Sequence, residues 1–312
     1  MPTRLALLAA LVAPVLLAAV LLAACQPVVA PDSREACAYQ LEATLPIRVE
    51  RGFQVADVAV NGKTLRMLID TGAAHSVLFG DAPQQVGART DWGTPGTFTD
   101  VNRMVVRHNV VLDRVNFAGQ ALTNVEMAAL PRAGVLGSVS DGVIGMDILR
   151  RFDLDFEVPE RRIMLYHWRD CPNGYPNWST GYATLKPLQA AREDGLIVVP
   201  GTLDGQPASV VIDSGAEVIV VAEEAALRSG VPQAALVGDG RVSVSGAGSQ
   251  AVPATLQSFR SLIVGGVAFE PVRALVFDEA SRVADVILGY PLFSDRRVWI
   301  SPSSNRVYVA EP

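Results

Sequence analysis

Residues 66–78 read RMLIDTGAAHSVL, and residues 209–221 read SVVIDSGAEVIVV. In both, three apolar residues lead into an aspartate, followed by a small hydroxyl residue, a glycine and an alanine. A carboxylate placed at the end of an apolar strand is expensive to bury unless it is partnered or protonated. A chain that does this twice, with a period of about 143 residues, has an internal repeat, and the repeat dictates its architecture. Gly62 of an Asn61-Gly62 pair stands eight residues before Asp70, and Gly205 of an Asp204-Gly205 pair stands eight residues before Asp213. Both dipeptides favour the positive φ angles of a two-residue hairpin turn. Each aspartate is therefore expected at the end of the second strand of a hairpin, with FQVADVAV and LIVVPGTL supplying the first strands.

A second landmark also recurs. Residues 141–149 read DGVIGMDIL and residues 285–293 read DVILGYPLF, so that Gly145 and Gly289 stand at matched distances from the two aspartates. Each is followed by a further hairpin-like segment, FDLDFEVPERRIMLY and VWISPSSNRVYVA. Phe152, Leu154 and Phe156 alternate with the period of a half-buried strand. Helical patterns are confined to short stretches at Gly145–Arg151 and Ala222–Ser229. The pattern predicts an all-β chain of two lobes related by a pseudo-twofold axis, with short helices, over residues 45–168 and 183–312. The Pro-, Gly- and Asn-rich stretch at 169–182 reads as the linker.

The N-terminus stands apart from the fold. One positive charge, Arg4, precedes an apolar run from Leu5 to Ala24, the pattern of a secretory signal. The ending Leu22-Ala23-Ala24-Cys25 resembles the cleavage box of bacterial lipoproteins, which implies removal of residues 1–24 and lipidation of Cys25. The run is also long enough to act as an uncleaved anchor. Residues 25–44 read as a lipidated tether and docking segment. The resemblance implies a lipid-anchored protein of the bacterial cell envelope, facing the periplasm or the exterior. Of three cysteines, Cys37 and Cys171 then remain as an even pair in an oxidising compartment and are expected to form a disulfide.

The 312 residues are 50% hydrophobic and 19% charged, with a formal net charge of −6. That is enough apolar material for a large core. It lacks the basic footprint that nucleic-acid binding requires.

Two lobes related by a twofold axis can bring Asp70 against Asp213. Carboxylates in contact share one proton. The ionised member can take a proton from a water held between them, while the neutral member donates a hydrogen bond to a scissile carbonyl. Gly72 and Gly215 leave room for backbone N–H groups to approach the acids. Thr71 and Ser214 offer short hydroxyls able to bond backbone across the lobe interface.

The phrases Asp70-Thr71-Gly72-Ala73 and Asp213-Ser214-Gly215-Ala216 closely resemble the active-site signature of retropepsin-like aspartic peptidases. Ile144-Gly145 and Leu288-Gly289 resemble that family's second landmark, which packs behind the active-site loop. The resemblance covers both lobes. It implies barrel-like lobes, catalytic Asp70 and Asp213, a cleft for an extended peptide, and no metal or other cofactor. A monomer is expected to suffice, because one chain supplies both acids. A non-catalytic peptide-binding module on the same fold is the competing expectation. The family covers its cleft with a glycine-tipped hairpin, and Gly246, Ala247 and Gly248 fit that role in lobe 2. Lobe 1 has no evident counterpart, since the region around FTDVNRMVV lacks glycines.

Six residues after Asp70 stands Ser76, able to brace the loop, whereas Ile219 occupies the matching place after Asp213. His75 is expected to be surface or partly buried, because two carboxyls need no imidazole. His108 and His167 lack metal-ligand spacing. Asp141 and Asp285 are expected in turn or cap roles, and the pairs Arg150-Arg151, Arg161-Arg162 and Arg296-Arg297 in solvated turns.

Overall fold

A computed structural model describes residues 39–100, 103–168, 176, 178, 181–188, 194–237, 241–244, 246, 252–277 and 284–311. The expected signal and lipid segment, with Cys25, and the proposed Cys37–Cys171 bridge lie outside the described residues. Among the described residues no helix is long and apolar enough to cross a membrane.

The predicted hairpins form as read. Phe53–Val60 and Lys63–Ile69 pair antiparallel from Val60↔Lys63 to Val55↔Leu68. Their turn residues Asn61 and Gly62 adopt φ of 47° and 81°. In the second lobe Val198–Leu203 pairs with Gln206–Ile212, and Asp204 and Gly205 adopt φ of 49° and 81°. Positive φ at both positions gives the turn the twist of the strands it joins.

The strand that follows each aspartate does not lie beside the strand that precedes it. Gly142–Ile144 is inserted between Lys63–Ile69, which it meets in parallel, and Val77–Phe79, which it meets antiparallel. Val286–Leu288 is inserted in the same way between Gln206–Ile212 and Ile219–Ala222. The segment carrying each acid must therefore arch over the end of an inserted strand, and the landmark glycine comes immediately after that strand. Short helices Met146–Leu149 and Tyr290–Phe293 continue from it, and the second predicted helix forms as Glu223–Arg228.

Lobe 1 departs from expectation in one respect. Arg89–Asp100 and Arg103–Phe117 form a long antiparallel hairpin whose register runs up to Asp100↔Arg103. It occupies the same place in chain order as the lobe 2 hairpin of Arg241–Val244 with Val252–Phe259. A counterpart of the lobe 2 hairpin is thus present in lobe 1. The tip segment FTDVNRMVV has no glycine, but the pairing is carried by the backbone ladder along both strands and does not need one there. Gly246 lies in the connection of the lobe 2 hairpin, and Ala247 and Gly248 lie outside the described residues.

The lobes are joined by six strands in the order Tyr182–Leu185, Arg306–Ala310, Val298–Ser301, Asp153–Glu157, Arg162–Trp168, Tyr39–Glu50. The two central strands pair as Phe156↔Val298, Asp155↔Trp299 and Leu154↔Ile300. This register places the pseudo-twofold axis between Asp155 and Trp299. Tyr39–Glu50 pairs with Arg162–Trp168 along its first part and with Phe53–Ala56 at its end, so it ties the inter-lobe sheet to the lobe 1 barrel. Leu154, Phe156, Ile163, Ile300 and Val307 are fully buried and merge with the barrel cores. On the opposite face Arg297 grips Asp155, at 2.9 Å to Oδ1 and 2.5 Å to Oδ2, and reaches Glu157 at 2.7 Å. Asp155 is 0% exposed. The Arg296-Arg297 pair is therefore not merely a solvated turn: its second member neutralises a buried carboxylate.

Candidate active site

Asp70 and Asp213 are held by matching bonds. The Asp70 amide donates to the Ile144 carbonyl at 3.1 Å, and the Asp213 amide to the Leu288 carbonyl at 3.1 Å. The Gly72 N–H then donates to the Asp70 carboxyl at 2.8 Å, and the Gly215 N–H to the Asp213 carboxyl at 2.7 Å. Each acid is thus anchored at its backbone by the inserted strand and at its carboxyl by the glycine two residues on.

The two loops interlock across the lobe interface. The Thr71 N–H donates to Ser214 Oγ at 3.0 Å, and the Ser214 N–H to Thr71 Oγ1 at 3.0 Å. Thr71 Oγ1 donates to the Ile212 carbonyl at 2.9 Å, and Ser214 Oγ to the Ile69 carbonyl at 2.8 Å. Thr71 and Ser214 are 0% exposed, so all four bonds are shielded from water. With its hydroxyl engaged on both sides, Ser214 is a clamp.

The interlock brings each carboxyl over the opposite glycine. A Cβ placed on Gly72 would run into the Asp213 carboxyl, and one on Gly215 into the Asp70 carboxyl. Glycine is required here by close approach, since neither residue has positive φ. Both aspartates keep a partly open surface, but their carboxyls are packed deeply among protein atoms. Burial pushes the Asp70 carboxyl well above the usual carboxylate range, and the charge and hydrogen bond of Asp213 push it further. Burial raises Asp213 too, while hydrogen bonds from Asp70 and from the N–H groups of Gly215 and Ala216 pull it back. Two acids in this relation titrate as a unit.

The second landmark lies directly behind. The Met146 N–H donates to the Ala73 carbonyl at 2.8 Å, and the Tyr290 N–H to the Ala216 carbonyl at 2.8 Å. A Cβ on Gly145 would fall 2.7 Å from the Ala73 oxygen, and one on Gly289 would strike the Ala216 carbonyl. The lobes also touch reciprocally through two left-handed glycines. A Cβ on Gly52 would sit 3.2 Å from the Tyr290 ring, and one on Gly195 would sit 3.0 Å from the Met146 side chain.

The symmetry is broken behind Asp70. Ser76 Oγ donates to Asp147 Oδ1 at 2.7 Å and accepts from the Gly145 N–H at 3.0 Å, while the Ser76 N–H meets the same Asp147 oxygen at 3.0 Å. Ser76 is the loop brace expected from its position. Its partner Asp147 escaped the reading, although the contrast of Gly-Met-Asp with Gly-Tyr-Pro was available as a signal. In lobe 2 both members are lost together, as Ile219 and Pro291.

His75 is exposed. His108 lies in the strand Arg103–Phe117, and His167 contacts Gln120 at 2.9 Å and the Phe152 ring at 5.0 Å. Among the described residues no cluster of His, Cys, Asp or Glu has the form of a metal site. Asp141 and Asp285 tie strands together: Asp141 accepts from the Arg66 N–H at 2.9 Å, and Asp285 from the Ser209 N–H at 2.8 Å.

Two tandem lobes, each contributing an acid and a glycine to a shared centre, define a single-chain protein of aspartic-protease architecture. A family model described as aspartyl protease matches residues 56–148 and 199–292, together more than half of the chain. The chain belongs to the aspartyl protease family. Each matched region runs from the first hairpin of its lobe through the landmark glycine, so both halves of the site fall inside the match. No curated protein sequence matches the chain.

Proposed function

We propose that the protein is an aspartic endopeptidase that hydrolyses extended peptide segments of envelope or secreted proteins, with Asp70 and Asp213 as its catalytic acids. The observation that carries this reading is the packing of each carboxyl over the other lobe's glycine, with burial raising both acids. A pair that retains one proton between them supplies a base and an acid in the same place. The ionised carboxyl takes a proton from water as it attacks the scissile carbonyl. The protonated one donates to the carbonyl oxygen, which leaves a neutral gem-diol. Collapse of that diol, with a proton passed to the departing nitrogen, cleaves the C–N bond and returns the pair to one shared proton. The interlocked Thr71 and Ser214 hydroxyls hold the geometry, and Ser76 with Asp147 stiffens the Asp70 side.

The N-terminal pattern supports tethering through a lipid on Cys25, with the two lobes carried outside the cytoplasmic membrane as a monomer. The test is exposure of the purified chain to a diverse peptide library across about pH 3 to 7, the range in which such a pair titrates. Asp70→Asn and Asp213→Asn run beside it, with folding checked by circular dichroism. Cleavage by the native chain and its loss in both folded variants is the expected result. A folded native chain that binds peptides without cutting any, and binds them equally well in both variants, would replace this reading with that of a binding module.

A further inference from the structure

The pseudo-twofold axis allows one flank of the inter-lobe sheet to be checked against the other. On one flank Arg162 and Arg297 both pair with the carboxylate of Glu157. The axis relates Arg162 to Arg306 and Glu157 to Ser301, given the central register Phe156↔Val298 and Leu154↔Ile300 and the corresponding antiparallel pairings Arg162↔Glu157 and Ser301↔Arg306. A serine therefore stands where the partner carboxylate would be. Arg306 instead turns back on its own loop, donating to the Ser304 and Asn305 carbonyls at 3.2 Å and 3.1 Å. It has no carboxylate partner among the described residues.

The two flanks also differ beside this arginine. On the first flank the Tyr290 ring packs on Gly52. On the other flank Met146 takes the place of Tyr290 and Gly195 that of Gly52. There a cavity of about 300 Å³ remains, bounded by the β-turn at 301–306, by Arg150–Asp153 and by Gly195–Ile197. Met146, Phe152, Leu196 and Ile197 give it an apolar wall, and Arg150, Arg151 and Arg306 bring three cations to it. One acid, Asp153, lines it, and its oxygens are taken by the hydroxyls of Ser301 at 2.9 Å and Ser303 at 2.6 Å. His167 and Tyr166 complete the titratable groups of the wall.

The structure assigns this cavity as a binding site for a compact carboxylate with an apolar, ring-sized body. Such a ligand supplies a carboxylate for Arg306, the partner this flank lacks relative to the other, and a ring for the apolar wall of Met146, Phe152, Leu196 and Ile197. The size agrees, since cavities near 300 Å³ lie at the lower end of those that hold small molecules. A guanidinium–carboxylate contact favours the anion over an uncharged analogue. The assignment is independent of whether Asp70 and Asp213 cleave peptides.

The test is calorimetric titration of the purified full chain with 3-phenylpropionate, its uncharged amide 3-phenylpropanamide, and inorganic phosphate. The acid is expected to bind at least ~10-fold more tightly than the amide, the ratio of a charge-assisted bond to a neutral one, and more tightly than phosphate. Leu196→Trp, which fills the cavity, is expected to abolish binding. Arg306→Gln, at the start of the strand Arg306–Ala310, is expected to reduce the acid to the affinity of the amide. Asp70→Asn is expected to leave binding unchanged, which separates this cavity from the cleft between the lobes. Equal binding of acid and amide, no binding at millimolar concentration, phosphate binding as tightly as the acid, or full affinity in folded Arg306→Gln would each overturn the assignment.

Discussion

Removing one hydroxyl from the inter-lobe clamp has a calculable effect. In Ser214→Ala, the Thr71 N–H loses its acceptor at 3.0 Å and the Ile69 carbonyl loses a donor at 2.8 Å. Both groups lie where water does not reach, since Ser214 and Thr71 are 0% exposed. Each lost bond is worth about 1 kcal/mol net, and leaving buried partners unsatisfied adds a desolvation cost, so the total is roughly 2–4 kcal/mol. Thr71→Val preserves the shape of the side chain and deletes the same number of bonds, to the Ser214 N–H and the Ile212 carbonyl. It should cost a similar amount. Because each hydroxyl bonds the amide of the residue bearing the other, the double variant should fall short of additivity by about 0.5–3 kcal/mol. Thr71→Ser keeps the oxygen and loses one methyl, a cost of about 1 kcal/mol. Urea unfolding followed by tryptophan fluorescence measures all four. The clamp is refuted if Ser214→Ala and Thr71→Val each lower stability by less than ~0.5 kcal/mol, the range of ordinary surface changes, or if their effects simply add.

Further outcomes follow from other contacts. Gly72→Ala and Gly215→Ala each drive a methyl into the opposite lobe's carboxyl. Both should abolish peptide cleavage, whereas Gly62→Ala, at a turn with open space around it, should leave kcat unchanged within about twofold while lowering stability by ~1 kcal/mol. Burial pushes Asp153 up to about 6, against the lowering effect of the Ser303 and Ser301 hydroxyls. The folded state thus holds this proton more tightly than the unfolded chain, so its contribution falls as pH rises from about 4 to 6 and is flat above, a loss of about 3 kcal/mol. Asp153→Asn should remove that slope from the wild-type difference in urea midpoints between pH 4 and 7, and an unchanged slope would contradict the buried setting. Arg297→Gln strands the fully buried Asp155 and should cost about 3–5 kcal/mol, read as a fall in the thermal midpoint.

The repeat made the centre of the fold legible. Asn61-Gly62 and Asp204-Gly205 fixed two hairpins, the apolar residues before Asp70 and Asp213 fixed the strand ends, and Gly145 and Gly289 marked the point where an inserted strand passes beneath each loop. Those features are local or duplicated, so a single chain shows them. The inserted position of Gly142–Ile144 was not visible, because strand order depends on contacts far apart in sequence. The lobe 1 hairpin was not visible because its tip segment FTDVNRMVV carries no glycine. The Arg297–Asp155 pair joins residues from different lobes and could not be separated from ordinary surface charge. Asp147 was legible in the contrast of Gly-Met-Asp with Gly-Tyr-Pro, as the member of a Ser76–Asp147 pair that vanishes in lobe 2 together with its partner.

The proposed chemistry requires Asp70 and Asp213 to share a proton in one site. Carbon-13 NMR of chain labelled at the aspartate side-chain carboxyls, titrated from about pH 3 to 8 with Asp70→Asn and Asp213→Asn for assignment, measures this directly. Two coupled carboxyl resonances are expected, both responding to each step, with the last proton leaving well above the usual carboxylate range and the coupling gone in either variant. Two independent titrations at ordinary carboxylate values, each unaffected by loss of the other acid, would contradict it.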